Sequence, residues 1–249
     1  MRIVFFAADD PLYLPDFFGR VLDERGTDTL AIYLTPPLYR NQTSFGAAWR
    51  YLRTFGPGAT LRLVGRLLRS RRERRSIASV CAERGIPVET IPNVNAPEFL
   101  ERLSQQSPEL VISVSCPQLF RRPLIEIPTR GLLNIHGSIL PAYRGVLPAF
   151  WMLANGERRA GVTVFLVNEG IDTGDVCGQE VFEILPEETL DQFLRRSKAI
   201  AAELLLKVIG AFESGTVRPA RLDLTQGSYH SWPDRDAVAR FRARGRRLW

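Results

Sequence analysis

The chain has 249 residues, 45% hydrophobic and 24% charged, enough for a full core in one domain or in one large and one small domain. Three scattered cysteines (Cys81, Cys116 and Cys177) lack the number for a disulfide framework and the spacing for a zinc site, so a reducing, cytoplasmic compartment is the simplest reading. The net charge of +6 is clumped at Arg66–Arg75 and Arg240–Arg247, and such runs read first as solvated arginine-rich helix faces, with a polyanion as the sharper alternative.

"RIVFFAA" at residues 2–8 is an apolar run of strand length, suited to a parallel strand covered on both faces; without a cleavage pattern it reads as a first strand rather than a signal segment. A helix is predicted over 14–25, then a strand at "TLAIYLT" (29–35) stopped by Pro36 and Pro37. Residues 39–58 read as a loop with a short helix. Leu61, Val64, Leu68 and Ile77 recur at roughly helical spacing and predict a helix through Arg84. "PVETIP" (87–92) is a short strand, "NAPEFLERLSQQ" a helix capped by Asn95, and "ELVISVS" (109–115) another interior strand. Strands alternating with helices predict a doubly wound, mostly parallel α/β sheet.

An irregular stretch, "CPQLFRRPLIEIPTRG", leads into the strand "LLNIHGS", which we expect Pro141 to end, and a helix closing at Asn155–Gly156. Strands follow at 161–167 and 175–184, and the clearest helix of the chain runs from a Thr189 cap to a stop at Gly215. The tail holds a turn region and a short helix after Pro233. We therefore expect one main domain at 1–215 and a C-terminal extension at 216–249. No run approaches the roughly 20 apolar residues of a membrane span, so no membrane partner is expected.

The α/β start carries no G-x-G-x-x-G and no P-loop, which removes the usual nucleotide cofactors. Two histidines nearly a hundred residues apart offer no metal site, and no serine lies in a G-x-S-x-G elbow. What remains is Asn134 and His136, two apart on a strand and so on one face: an oxyanion donor beside a proton shuttle. A carboxylate to orient the imidazole has to come from elsewhere. "NEGIDTGD" offers Glu169, Asp172 and Asp175 between two predicted strands, with Gly170 and Gly174 letting its backbone approach something bound. The plain reading, a packed histidine and an acidic turn, stands level with this one on the residues alone.

Asn134, His136, "SILPAYRG" and the aspartate of "IDTGD", 36 residues after the histidine, together resemble the folate-dependent formyltransferase family. The resemblance covers about Leu110 to Ile209 and is nearest to methionyl-tRNA and amino-sugar N-formyltransferases. It implies a Rossmann-like formyltransferase fold that moves a formyl group from 10-formyltetrahydrofolate to an amine, with Asn134, His136 and Asp172 as the catalytic triad. It also implies a folate pocket lined by Cys116, Pro117, Leu119, Phe120, Leu140, Asn168, Gly170 and Ile171. Tyr143 and Arg144 are candidates for contact with the acceptor. The first turn, "AADDPLYLP", departs from the start of the tRNA enzymes, and little chain follows Gly215 to build their C-terminal domain. The implied acceptor is therefore a small amine, with a nucleotide-linked amino sugar ahead of tRNA. Hydrolysis of 10-formyltetrahydrofolate and a non-catalytic folate- or RNA-binding protein are the alternatives. In the tail, Tyr229, His230 and Trp232 are candidates to close a pocket or to form a homodimer, and His230 by itself reads as a surface residue.

Overall fold

The computed structural model describes residues 1–36 and 43–249, so the start of the expected 39–58 loop lies outside the described residues. Seven strands form one sheet in the order β3-β2-β1-β4-β5-β7-β8. The first five in sequence, β1 (Ile3–Ala8), β2 (Thr29–Thr35), β3 (Val88–Thr90), β4 (Leu110–Val114) and β5 (Leu132–His136), are mutually parallel. After β5 comes β6 (Arg144–Gly145), which pairs in parallel with β9 (Tyr229–His230) near the end of the chain. The sheet is completed by β7 (Arg159–Leu166), antiparallel to β5, and β8 (Val176–Glu183), antiparallel to β7. The mostly parallel α/β expectation is met, with an antiparallel pair added at one edge.

Alternation along the strands builds two cores. Ile3, Phe5, Ile112 and Ile135 face one layer made by α1 (Leu14–Arg25), α4 (Ile77–Ala82) and α8 (Leu190–Glu213). Val4, Phe6, Val111 and Leu132 face the other, under α5 (Pro97–Gln105) and α6 (Arg122–Ile125). Because side chains alternate, Asn134 and His136 project on the side of Leu132. Direction in the order reverses between β1 and β4, which opens a crevice at the carboxyl ends of the parallel strands.

Three local expectations change. Residues 44–55 form a full helix, α2 (Ser44–Phe55), capped by the Thr43 hydroxyl on Gly46 N–H. The single helix expected through Arg84 is two, α3 (Pro57–Arg72) and α4. Arg74 turns left-handed (φ +51°), and a reciprocal Ser76–Ser79 capping box starts α4, freeing Ile77 and Cys81 to turn into the core. Helix α5 is capped by Ala96 rather than Asn95; the Asn95 side chain instead ties the 119–121 loop, accepting from Arg121 N–H and donating to the Leu119 carbonyl. The Thr189 cap of α8 is present, with Gln192 completing a capping box.

The tail is woven into the body. A third hydrophobic cluster joins α7 (Pro148–Asn155), Phe55 of α2, Phe193 of α8 and, from α9 (Arg235–Ala243), Ala237, Val238 and Phe241. Phe241 is 2% exposed and stacks on Phe150 with ring centroids 4.9 Å apart. Three of the tail arginines are also tied to the body: Arg242, Arg244 and Arg246 donate to the carbonyls of Phe55, Ala154 and Leu185, while Arg240 and Arg247 are exposed. Arg244 thereby places a cation at the C-terminus of α7, where the carbonyls carry partial negative charge.

Candidate active site

Strand β5 ends on His136, five residues before Pro141, whose peptide bond with Leu140 is cis. The strand thus stops earlier than the proline suggested, and residues 137–143 form a loop bending back over its end. Ser138 closes this loop, its hydroxyl donating to the Ala142 carbonyl at 2.6 Å. The loop brings the Tyr143 carbonyl 2.8 Å from His136 Nε2. A carbonyl only accepts, so Nε2 carries the proton and Nδ1 is the ring position left to gain or lose one.

Nδ1 lies 3.6 Å from Oδ2 of Asp172, and both side chains are nearly closed off, at 8% and 11% exposure. Asp172 adopts a left-handed conformation (φ +52°), which aspartate tolerates better than most residues. Its Oδ2 also accepts the Gly145 N–H at 2.9 Å, so one carboxylate oxygen ties down the 143–146 segment and faces Nδ1, from which it accepts once that nitrogen is protonated. The carboxylate that the Asn134–His136 pair lacked in sequence is therefore supplied by the "NEGIDTGD" loop.

That loop uses its glycines for its own closure. A side chain on Gly174 would sit 1.6 Å from the Leu166 carbonyl oxygen, and one on Gly170 would meet the Thr173 hydroxyl at 2.2 Å. Asn168 Oδ1 accepts from both Gly170 N–H and the Thr173 hydroxyl. The two glycines thus let the loop pack closely on itself and on the end of β7.

Asn134 sits half-buried between Ser113 of β4 and Phe165 of β7, and its amide makes no hydrogen bond among the described residues. The neighbouring Ser113 hydroxyl is buried without a partner. Two adjacent polar groups on one sheet face thus hold unused hydrogen-bonding capacity.

The other candidates divide. Cys116 and Phe120 pack against the cluster on the face that Asn134 and His136 share, Phe120 stacking on Phe6, while burial pushes the Cys116 thiol up in pKa. Pro117 is half-buried between them and Leu119 is exposed. Ile171 is exposed beside Asp172, whereas Leu140 is buried and held through its N–H by Thr163. Tyr143 is a strut: its phenol donates to Glu157 at 2.6 Å, accepts from Asn155, and is pushed up to about 12 by burial and by the Glu157 bond. Arg144 differs, with a buried Nε that lacks a partner and no carboxylate paired to it among the described residues.

One contributor near the triad, Ser228, escaped the sequence reading, which places His230 at the surface. Ser228 in the tail accepts Tyr143 N–H on its hydroxyl and Arg144 N–H on its carbonyl, both at 2.9 Å, and the His230 carbonyl accepts Val146 N–H at 2.8 Å. His230 is no surface residue: its ring stacks on Tyr143 at 5.1 Å and lies 4.7 Å from Trp151. Trp232 is likewise engaged within its own chain, through Thr54 and Arg50, while Tyr229 is exposed. At the crevice between β1 and β4, Lys198 donates to Ser115 at 2.8 Å. Burial lowers the pKa of Lys198 and raises that of nearby Asp10. A serine inside "LVISVS" was a readable signal; a contact spanning 85 residues, as between Tyr143 and Ser228, was not.

A family model described as formyl transferase matches residues 67–209, more than half of the chain. The chain belongs to the formyl transferase family. The match takes in β3 to most of α8 and all three residues of the Asn134, His136 and Asp172 group. Among formyl transferases, the chain is 33% identical over 153 residues to the methionyl-tRNA formyltransferase of Trichlorobacter lovleyi, covering 61% of this chain and 48% of that protein. It is 39% identical over 129 residues to that of Syntrophus aciditrophicus, covering 52% and 41%. These matches span about half the length of those relatives. In fold it is similar to an N-formyltransferase from Helicobacter canadensis solved with folinic acid and dTDP-3-aminofucose (TM-score 0.61, 18% identity, 93% of this chain and 71% of that one). It is also similar to glycinamide ribonucleotide transformylase 1 from Symbiobacterium toebii (TM-score 0.59, 19% identity, 90% and 95%).

Proposed function

We propose that this formyl transferase moves a formyl group from 10-formyltetrahydrofolate to the primary amine of a small acceptor, a nucleotide-linked amino sugar. The observation that carries the reading is the convergence of Asn134, His136 and Asp172 from two separate segments at one strand end, with the imidazole held by the Tyr143 carbonyl on one side and facing the Asp172 carboxylate on the other. The half-buried Asn134 amide, with no hydrogen bond among the described residues, fits a polar ligand bound at that strand end. The donor's contribution is an activated formyl group.

Everything else is asked of the side chains. The Asn134 amide N–H donates to the formyl oxygen as charge develops there, without itself changing charge. His136 takes at Nδ1 the proton that the attacking amine must lose and returns it to the departing nitrogen, so protons balance over the transfer. Asp172 stabilises the imidazolium between those two events. Holding donor and acceptor side by side supplies a large further share of the acceleration.

In this reading Cys116, Pro117, Leu119, Phe120, Leu140, Asn168, Gly170 and Ile171 form the folate pocket. Residues 1–215 make the catalytic domain, braced by the extension at 216–249. Arg144, with an unpartnered guanidinium nitrogen beside the triad, supports an acceptor bearing phosphate. Homodimerisation through the tail would fall to the exposed Tyr229, since His230 and Trp232 are engaged internally.

The test is release of tetrahydrofolate from 10-formyltetrahydrofolate with a panel of amines that includes nucleotide-linked amino sugars and methionyl-tRNA. Turnover that depends on an amino sugar is expected. Turnover with methionyl-tRNA alone would overturn the acceptor and keep the transfer, formate release without any amine would indicate hydrolysis, and no turnover at all would leave a binding protein.

A further inference from the structure

The two basic runs of the sequence have different fates. Arg242, Arg244 and Arg246 of the tail donate to backbone carbonyls, whereas several arginines of the α2–α3 helical pair are exposed without a partner carboxylate among the described residues. Residues 44–75 hold nine arginines and one glutamate, a net +8 that exceeds the +6 of the entire chain, so the remainder is net acidic. Arg66 pairs with Asp191, Arg69 with Glu73 and Arg75 with Asp16. Arg53, Arg62, Arg71 and Arg72 are exposed and pair with no carboxylate among the described residues.

The same helices expose large apolar side chains. On α2 these are Phe45 and Trp49, at 81% and 53% exposure and four residues apart. On α3 they are Leu61, Val64 and Leu68, at 74%, 45% and 58%. At about 100° per residue, the three on α3 fall within roughly 60° of one another and form a single stripe. Arg71 and Arg72 flank that stripe, and Arg62 and Arg69 lie on the side beyond Arg72. The opposite face of α3 carries Leu63, Leu67 and the buried Ser70, whose hydroxyl donates to the Pro11 carbonyl. The outer stripe is therefore not the helix's own packing face.

We propose that the outer face of α2 and α3 docks the protein on an anionic lipid surface, with Leu61, Val64 and Leu68 entering the headgroup boundary and Arg53, Arg62, Arg71 and Arg72 meeting lipid phosphates. An apolar stripe with Trp, Phe and Leu beside arginines whose stems can rise to the headgroups is the chemistry of a helix lying in the bilayer plane. A second copy of the chain would set +8 against +8. Nucleic acid would satisfy the arginines and leave the stripe in water. The surface is peripheral: among the described residues no helix is long and apolar enough to cross a membrane. This inference stands independently of the formyl-transfer reading.

The experiment is co-sedimentation of the full chain with vesicles of phosphatidylcholine alone and of phosphatidylcholine with about a third phosphatidylglycerol. Retention on the anionic vesicles should be at least about tenfold stronger, since each basic residue near such a surface adds attraction. The variant Leu61→Ser, Val64→Ser, Leu68→Ser should lose retention on both; Arg53→Gln, Arg62→Gln, Arg71→Gln, Arg72→Gln should lose the preference for phosphatidylglycerol. All seven residues are exposed, so thermal unfolding of each variant should match the parent and separate binding from folding. Three results would overturn the proposal: no preference for anionic vesicles, unchanged retention of the serine variant, or a dimer on gel filtration that the serine variant converts to monomer.

Discussion

His136 Nε2 is held by the Tyr143 carbonyl at 2.8 Å while Nδ1 faces Asp172 Oδ2 at 3.6 Å, so a loop carbonyl orients the ring on one side and a carboxylate stands ready for the imidazolium on the other. Oδ2 also accepts the N–H of Gly145, two residues beyond Tyr143. Both groups that flank the imidazole are therefore parts of one connected unit, and that unit is fastened to the tail through Ser228 and His230.

Asp172→Asn should retain the Gly145 bond through its amide oxygen and remove the charge that stabilises the imidazolium. In steady-state assays with 10-formyltetrahydrofolate, kcat should fall by about 10²–10⁴-fold with KM for the folate little changed. A near-parental kcat would remove Asp172 from the proton path.

Asn134 makes no internal hydrogen bond, so Asn134→Ala should cost little stability, within about 0.5 kcal/mol by denaturant titration. Its kcat should nevertheless drop by about 10²–10³-fold, the usual loss for one oxyanion donor. A large stability loss with normal turnover would make Asn134 a structural residue.

Phe241 lies in the tail yet is 2% exposed against Phe150. Phe241→Ala should cost about 3–5 kcal/mol, seen as a Tm lower by roughly 6–20 °C for a chain of this size. An unchanged Tm would mean that the tail adds nothing to the core.

Burial, then the charge of Arg240, depress the pKa of His230 below its ordinary 6.5. The unfolded chain therefore takes up this proton first, and stability should be highest above pH 6.5, fall as the pH drops below it, and level off beneath the folded value. Unfolding titrations of the parent and His230→Phe across this range test the sign. The parent should lose stability toward acid relative to the variant, and parallel curves would show that His230 is not the group responsible.

The elements that packed by their own periodicity were legible. "RIVFFAA" and "ELVISVS" became buried parallel strands, and α8 began at its Thr189 cap, because apolar runs and caps act over a few residues. Asn134 and His136 were readable as neighbours on a face for the same local reason. The break between α3 and α4 was missed because Ile77 was grouped with Leu61, Val64 and Leu68, although its place nine residues after Leu68 sets it half a turn away from them at about 100° per residue; Leu61 is exposed and Ile77 buried. The role of the tail was hidden because the Tyr143–Ser228 bond spans 85 residues.

By itself the sequence determined the α/β alternation, the polar pair on β5 and the loop that had to supply a carboxylate, since these rest on spacing within short segments. Asp172 was named by resemblance; only the tertiary structure decided how it sits against His136, which ring nitrogen is free to titrate, and that the tail braces both. Those outcomes depend on where separate segments meet, and hydrogen bonds a few ångströms long form between whichever groups the fold brings together.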